Sequence, residues 1–400
     1  MGSIGRLALA AAVLASAAPA AAQERGFQHA LRDFRQFHRA EVQRAGIAGS
    51  SFYFLRGGKT VAADHLGEQD ADAHVPVDAR TIYHWASITK TMTGIAIMQL
   101  RDRGLLSLDD PIVRYVPELA QVHNPFGDTN AITLRQLMSH SAGFRNGTWP
   151  WRDKEWQPFE PPGWAQLAAM LPYTEVLYRP GTRFSYSNPG IVYLGQVIER
   201  LTGEDFEVYV DKNILKPLGM HDSYFDRTPP HLLPHRSHSY YIHDGKREAA
   251  PFDVDTGVTV SNGGLNAPLP DMAKYLGFLI GDPARPEYAL VLKRASLEEM
   301  WRPQISAGED FSQGRMAATT QAGLSFFIDQ GPRGMRFIGH NGDQNGFRAY
   351  LSLCPDQHAG SLLAFNTETR AVRNDPSNRE TAESRIALAA DRMCEALAGE

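Results

Sequence analysis

Apolar residues recur at helical spacing near the start of the chain. Phe27, Ala30, Leu31, Phe34 and Phe37 share one face, and Gly46 follows as a natural helix end. SSFYFL, RGGK and TVAA then read as strand, turn and strand. TKTMTGIAIMQLRDRG predicts a helix that is apolar on nearly all sides, hence central and buried. From about residue 104 to 280 helical patterns alternate with Pro- and Gly-rich loops. From about 322 the pattern changes to short β runs, GLSFFI, MRFIG, FRAYLSL and SLLAFN, separated by turn residues. Ile386, Ala389, Ala390, Met393 and Leu397 predict a last amphipathic helix. Strands at both ends of the chain thus enclose a helical block. This implies an α/β fold with a mostly antiparallel sheet, flanked by N- and C-terminal helices, plus a helical subdomain. The sheet part is expected at about 23–85 and 285–400, the helical part at about 86–284.

Composition adds bounds. The chain has 400 residues, 43% apolar and 21% charged, with a net charge of −5. No basic patch is visible, so no nucleic-acid partner is expected. Arg6, the apolar run LALAAAVLASAA and Ala20-Ala21-Ala22 before Gln23 read as a signal peptide over residues 1–22. The mature chain, 23–400, is then expected in the periplasm or the medium, without stable membrane insertion; an uncleaved anchor is the alternative. Cys354 and Cys394 could form a disulfide in an oxidising compartment or remain two buried thiols. The oligomeric state is not legible.

Several chemical motifs are absent. There is no G-x-S-x-G and no H-E-x-x-H. GGKT at 57–60 reads as a hairpin turn rather than a phosphate loop, and the four histidines of HLLPHRSHSYYIH (231–243) read as a surface loop rather than a metal site. No metal and no cofactor is expected. What remains is Ser87-x-x-Lys90, a pair one turn apart at a helix start. Such a lysine can take the serine proton if burial or a neighbouring cation lowers its pKa. By itself the pattern is weak, because serine is also a favoured helix cap. Two further triplets follow in order, Tyr186-Ser187-Asn188 and His340-Asn341-Gly342.

Together the three triplets resemble the signature of penicillin-recognising serine hydrolases, in particular the class C β-lactamase-related family. The likeness extends to IYHWASITKTMTGIAIMQLRDRGLLSLDDPIVRYVPEL, ITLRQLMSHSAGF, RPGTRFSYSNPGIVYLGQVIERLTGEDFEVYV, LKPLGMHDSYF and HNGDQNGFRAYLSLCPD, about residues 30–395. The resemblance implies a β-lactamase/D,D-peptidase-like fold and an acyl-enzyme on Ser87. It implies that Lys90 and Tyr186 move protons. Asn188 would bind substrate and position Lys90, and His340, Asn341 and Gly342 would line the third wall. The backbone N–H groups of Ser87 and Asp343 would form the oxyanion hole.

His340 stands where β-lactamases of this family carry a lysine, and Asn341 stands where a threonine is usual. Asp343 adds a negative charge beside the oxyanion hole, which would repel a substrate carboxylate or attract an amine; Arg348 would reverse this if it reached the site, and an aspartate turned to solvent is the other reading. The tryptophans of 146–164 could form an aromatic wall, and Gly263-Gly264 resembles a site-lining loop. The expectation is therefore a hydrolase of a small-molecule or peptide ester or amide, esterase-like or D-amino-acid peptidase-like. A true β-lactamase or D,D-carboxypeptidase is the alternative. An inactive binding protein of the same fold, or a metal-dependent hydrolase, would be rivals of another class.

Overall fold

The structure is a computed structural model that describes residues 4–150, 160–243, 245–282, 284–308, 320–369 and 380–398, with side chains from residue 23 onward. Helix α1 (Ile4–Ala45) runs through the expected cleavage position, whose side chains lie outside the described residues. Phe27, Leu31 and Phe34 are buried as the spacing predicts, while Phe37 at the end of the same face is 38% exposed. Among the described residues no helix is long and apolar enough to cross a membrane.

Strand β1 (Gly49–Arg56) and β2 (Lys59–Asp70) form a hairpin. Gly57 and Gly58, at φ 56° and 75°, make its turn, which is what GGKT does here. Then follow β3 (Val75–Pro76), β4 (Ile305–Ser306), β5 (Gln321–Ala322), β6 (Phe327–Gln330), β7 (Arg336–Gln344), β8 (Phe347–Cys354) and β9 (Ala359–Phe365). Among the described residues these nine strands form one sheet in the order β3-β2-β1-β9-β8-β7-β6-β5-β4. Neighbours are antiparallel, and β1 pairs with β9 so that Tyr53 faces Leu362. The two ends of the chain therefore meet in the middle of the sheet.

Each sheet face buries a different core, because alternate side chains point to opposite sides. On one face Phe52, Phe54, Leu363 and Phe365 pack with Phe34 of α1 and with Ile386 and Met393 of the C-terminal helix, Ala382–Leu397. On the other, Leu351, Leu353 and Leu362 pack with the helical block. At the centre of that block lies α2 (Thr89–Asp102), buried from Thr89 to Leu100. An apolar circumference leaves such a helix no solvent face.

One expectation is corrected. The 231–243 segment is not a surface loop: Arg236, Ser237, Ser239 and Tyr240 are buried. Tyr240–His243 is a strand, the Tyr240 hydroxyl accepts from the Ala71 N–H at 2.8 Å, and the Arg236 guanidinium lies 4.8 Å from the Phe347 ring centre.

Cys354, at the end of β8, is disulfide-bonded to Cys394 of the C-terminal helix, with Cα atoms 6.4 Å apart. The bond closes a separation of 40 residues; chain entropy for such a loop corresponds to about 4 kcal/mol. Cys394→Ala is expected to lower the unfolding free energy by roughly that amount, read from the denaturant midpoint. An unchanged midpoint would show that the bond contributes nothing.

Candidate active site

The turn that carries Ser87 is fixed from its backbone. A short strand, Ile82–His84, pairs with Leu265–Pro268. Directly after it the Trp85 N–H donates to the Leu265 carbonyl at 2.8 Å and the indole N–H to the Ala267 carbonyl at 2.9 Å. The chain then enters a 3₁₀ turn, Ala86–Ile88, with Ala86 at φ 45°. A left-handed alanine is a strained conformation that persists only where the surroundings impose it. The Thr89 hydroxyl donates to the Ala86 carbonyl at 2.6 Å, and α2 starts. Ser87 does not cap that helix; Ile88 holds the cap position and no side chain bonds there.

Lys90, one turn into the helix, donates from Nζ to Ser87 Oγ at 2.8 Å and to the Asn262 carbonyl at 2.8 Å. It is completely buried, and among the described residues no carboxylate pairs with it. Burial therefore holds its pKa well below the ordinary lysine value.

Tyr186 approaches from the second motif and hydrogen-bonds Ser87. Lys90 Nζ lies 5.1 Å from its ring centre. Burial, assisted by the Asp343 charge, raises the phenol pKa, and the Ser87 bond opposes this only in part. At neutral pH Tyr186 is thus a phenol.

Its position is set by His140, a residue that the three-motif pattern misses. The His140 carbonyl accepts from the Ser185 N–H at 2.7 Å and its Nδ1 from the Ser187 N–H at 3.2 Å. The chain is clamped on both sides of Tyr186, and the imidazole packs against the phenol with ring centres 4.3 Å apart and planes tilted by 31°. His140 adopts φ 54° to do this. Burial above all holds it neutral. A single histidine in MSHSAGF gives no hint of a partner 46 positions away.

Asn188 begins helix α3 (Asn188–Thr202), capped by the Ser187 hydroxyl, which accepts from the Gly190 N–H at 3.0 Å. The Asn188 side-chain amide donates to Asn146 at 3.0 Å. The group that receives Lys90 besides Ser87 is the Asn262 carbonyl, in the segment leading into Gly263-Gly264.

The third wall is the edge of β7. His340 is buried, with Nδ1 2.6 Å from the Asn341 carbonyl, and packs near Tyr186 and Phe327 at 6.1 and 5.1 Å. Burial, then the Lys90 charge, push its pKa down to about 3. Gly342 faces protein backbone: a Cβ there would lie 2.3 Å from the Trp85 carbonyl oxygen. Its lack of a side chain lets the strand edge that carries Asp343 close against the Ser87 turn.

Asn341 and Asp343 alternate to the opposite sheet face from His340 and Gly342. They pair across the ladder with Tyr350 and Arg348. Arg348 Nη1 donates to Asp343 at 2.6 Å and Nη2 to the Tyr350 hydroxyl at 3.0 Å. The expected uncompensated charge beside the site is therefore a buried-side ion pair.

Of the tryptophans in 146–164, two are described. Trp164 packs on Tyr193 and Arg200, Trp149 against the main core, and Trp151 and Trp156 lie outside the described residues.

Known proteins give the same picture. The Beta-lactamase family model matches residues 34–385. Protein flp of Staphylococcus aureus is 29% identical over 188 residues, 47% of this chain. That match spans only 37% of flp's own length. Among solved structures, the octameric penicillin-binding protein homologue from Pyrococcus abyssi aligns with a TM-score of 0.74 at 25% identity, over 91% of this chain and 77% of that one. A class C beta-lactamase shares the fold, with a TM-score of 0.72 at 19% identity, over 94% and 97% of the two chains. The motif geometry around Ser87 and the match over most of the length lead to one assignment: the chain belongs to the Beta-lactamase family.

Proposed function

We propose that the protein is a periplasmic or secreted hydrolase that cleaves an ester or amide through an acyl-enzyme on Ser87, esterase-like or D-amino-acid peptidase-like. The observation that carries this is the buried Lys90 Nζ, 2.8 Å from Ser87 Oγ, with no carboxylate among the described residues to hold its proton. A neutral amine at that position is a base.

Ser87 Oγ attacks the substrate carbonyl, and its proton passes to Lys90. The backbone N–H groups of Ser87 and Asp343 receive the developing oxyanion. Tyr186, a phenol, donates to the departing oxygen or nitrogen as the C–O or C–N bond breaks, and Lys90 returns a proton to it. Water then adds to the acyl carbonyl, loses its proton along the same route, and releases Ser87. Asn188 serves substrate binding.

The preference over β-lactams and C-terminal carboxylates rests on charge. His340 is neutral, and Arg348 is occupied by Asp343. Neither offers a free cation to a carboxylate. The proposed location rests on the N-terminal pattern and on the Cys354–Cys394 bond, which suits an oxidising compartment.

Intact-mass spectrometry tests the reading. The protein would be incubated separately with a fluorophosphonate, a p-nitrophenyl ester, a penicillin and a D-Ala-D-Ala peptide. A covalent adduct mapping to Ser87, absent from Ser87→Ala, is expected with the fluorophosphonate, and rapid turnover with the ester. Equal labelling of Ser87→Ala, or no adduct and no turnover with any probe, would count against it.

A further inference from the structure

An ion pair lies directly behind the proposed oxyanion hole. Among the described residues β7 pairs with β6 only from Arg336 to Gly339, so its edge from His340 to Gln344 has no strand beside it. That edge closes on the Ser87 turn, with Gly342 against the Trp85 carbonyl. The Asp343 backbone belongs to the edge, but its side chain leaves by the sheet face opposite to His340 and Gly342. There it meets Arg348, its partner across the ladder.

Arg348 Nη1 donates to the Asp343 carboxylate at 2.6 Å. The arginine side chain is 8% exposed and the aspartate 27%. Nη2 donates to the Tyr350 hydroxyl at 3.0 Å, and Tyr350 hydrogen-bonds Thr381, the cap of the C-terminal helix. Burial works against the Arg348 charge, but Asp343, then Tyr350 and Glu383, outweigh it and raise the pKa well above the ordinary value. The guanidinium is thus a fixed cation, tied at one end to the strand edge and at the other to the helix.

Packing alone does not call for this pair. Apolar residues of similar volume are often as stable in such a place, and a neutral side chain at 343 would need no arginine. The charges matter for the other side of the strand. The carboxylate belongs to the residue whose N–H is to receive negative charge as the carbonyl is attacked. Its charge is felt within the site, where it adds to burial in raising the Tyr186 phenol pKa. Left unopposed, it would work against the oxyanion.

We infer that Arg348 is a positioning residue of the oxyanion hole: it holds the Asp343 carboxylate on the far face of the sheet and offsets the charge that would otherwise oppose the oxyanion. This deepens the acyl-enzyme reading of Ser87 and rests on it.

The test measures kcat and KM with a p-nitrophenyl ester for Arg348→Met, Asp343→Asn and the double variant. Arg348→Met leaves the carboxylate unopposed, and kcat should fall about fivefold, the scale of one unit charge nearby in a partly screened interior. Asp343→Asn leaves the guanidinium unopposed, and kcat should rise by about the same factor. The double variant lacks both charges and should lie between the two. KM should change little throughout, because the substrate carbonyl carries no charge before attack. A pair that merely braces the strand gives another pattern, since each variant breaks the same bond and each should then lose activity. A fall in kcat for Asp343→Asn, a double variant no faster than Arg348→Met, or three unchanged values would overturn the inference. Should Arg348→Met not fold, the direction of change in Asp343→Asn still decides. Each of these results leaves the fluorophosphonate adduct on Ser87 in place. Absence of that adduct and of ester turnover in the natural protein would instead remove the acyl-enzyme reading, and this inference with it.

Discussion

Lys90→Met is expected to lower kcat/KM by about 10⁴-fold, the upper range for loss of a positioned base, while the folded protein becomes more stable. Both effects have one cause. The folded site holds Lys90 with a pKa well below its ordinary value because burial penalises the ammonium. The unfolded chain therefore binds more protons than the folded one between the folded pKa and about 10.4. Across that window stability falls as pH falls. Methionine has nearly the shape of the lysine stem and no charge to bury, so the penalty disappears. The gain should be seen as a higher denaturant midpoint at neutral pH, and the activity loss in ester hydrolysis. The natural protein should show an acidic limb in kcat/KM, with activity rising as pH climbs through the lowered Lys90 pKa; Lys90→Met should lose that limb. A variant that keeps full activity would remove Lys90 from the mechanism. One that is inactive and less stable would mean that the ammonium is stabilised by its surroundings and is not a base.

The sequence shows the base pair more readily than its setting. Helix α2 is legible because a stretch with no polar side can only be interior. Ser87 and Lys90 stand one turn apart at its start, but only the company of Tyr186-Ser187-Asn188 and His340-Asn341-Gly342 lifts that pair above a helix cap. The strands β6 to β9 are legible as short apolar runs between turns. His140 is not, because its role consists of two backbone bonds and a ring stack made to residues 185–187, distant in sequence. Nor is the burial of Arg236, which depends on the Phe347 ring more than a hundred positions on. The Asp343–Arg348 pair could have been found. Asn345-Gly346 is a two-residue hairpin turn, which places 344 opposite 347 and 343 opposite 348. Reading that register would have replaced an open charge by an ion pair. The two cysteines pose the opposite case: their spacing leaves two readings, and only the packing of β8 against the C-terminal helix brings them together.

Gly342→Ala is the second change from which a large effect is expected, with kcat lowered by about 10²–10³-fold, the scale of losing one oxyanion donor. The added Cβ would meet the Trp85 carbonyl oxygen at 2.3 Å and its carbon at 3.0 Å. Neither side can yield cheaply. Trp85 is held by bonds to Leu265 and Ala267, and β7 is laddered to β8 from Ile338 to Gln344. The opening between them must widen, and with it the spacing of the Ser87 and Asp343 N–H groups. A substrate carbonyl can be bound at one donor in the ground state, so KM should change far less than kcat. Overpacking should also cost about 1–3 kcal/mol, visible in the denaturant midpoint. The two readouts separate the causes. Lost stability with an unchanged kcat would place the Gly342 contact in folding alone and move the oxyanion hole elsewhere. A lowered kcat in protein that is still folded at the assay temperature would tie the glycine to the spacing of the two donors, because alanine adds nothing else to that strand edge.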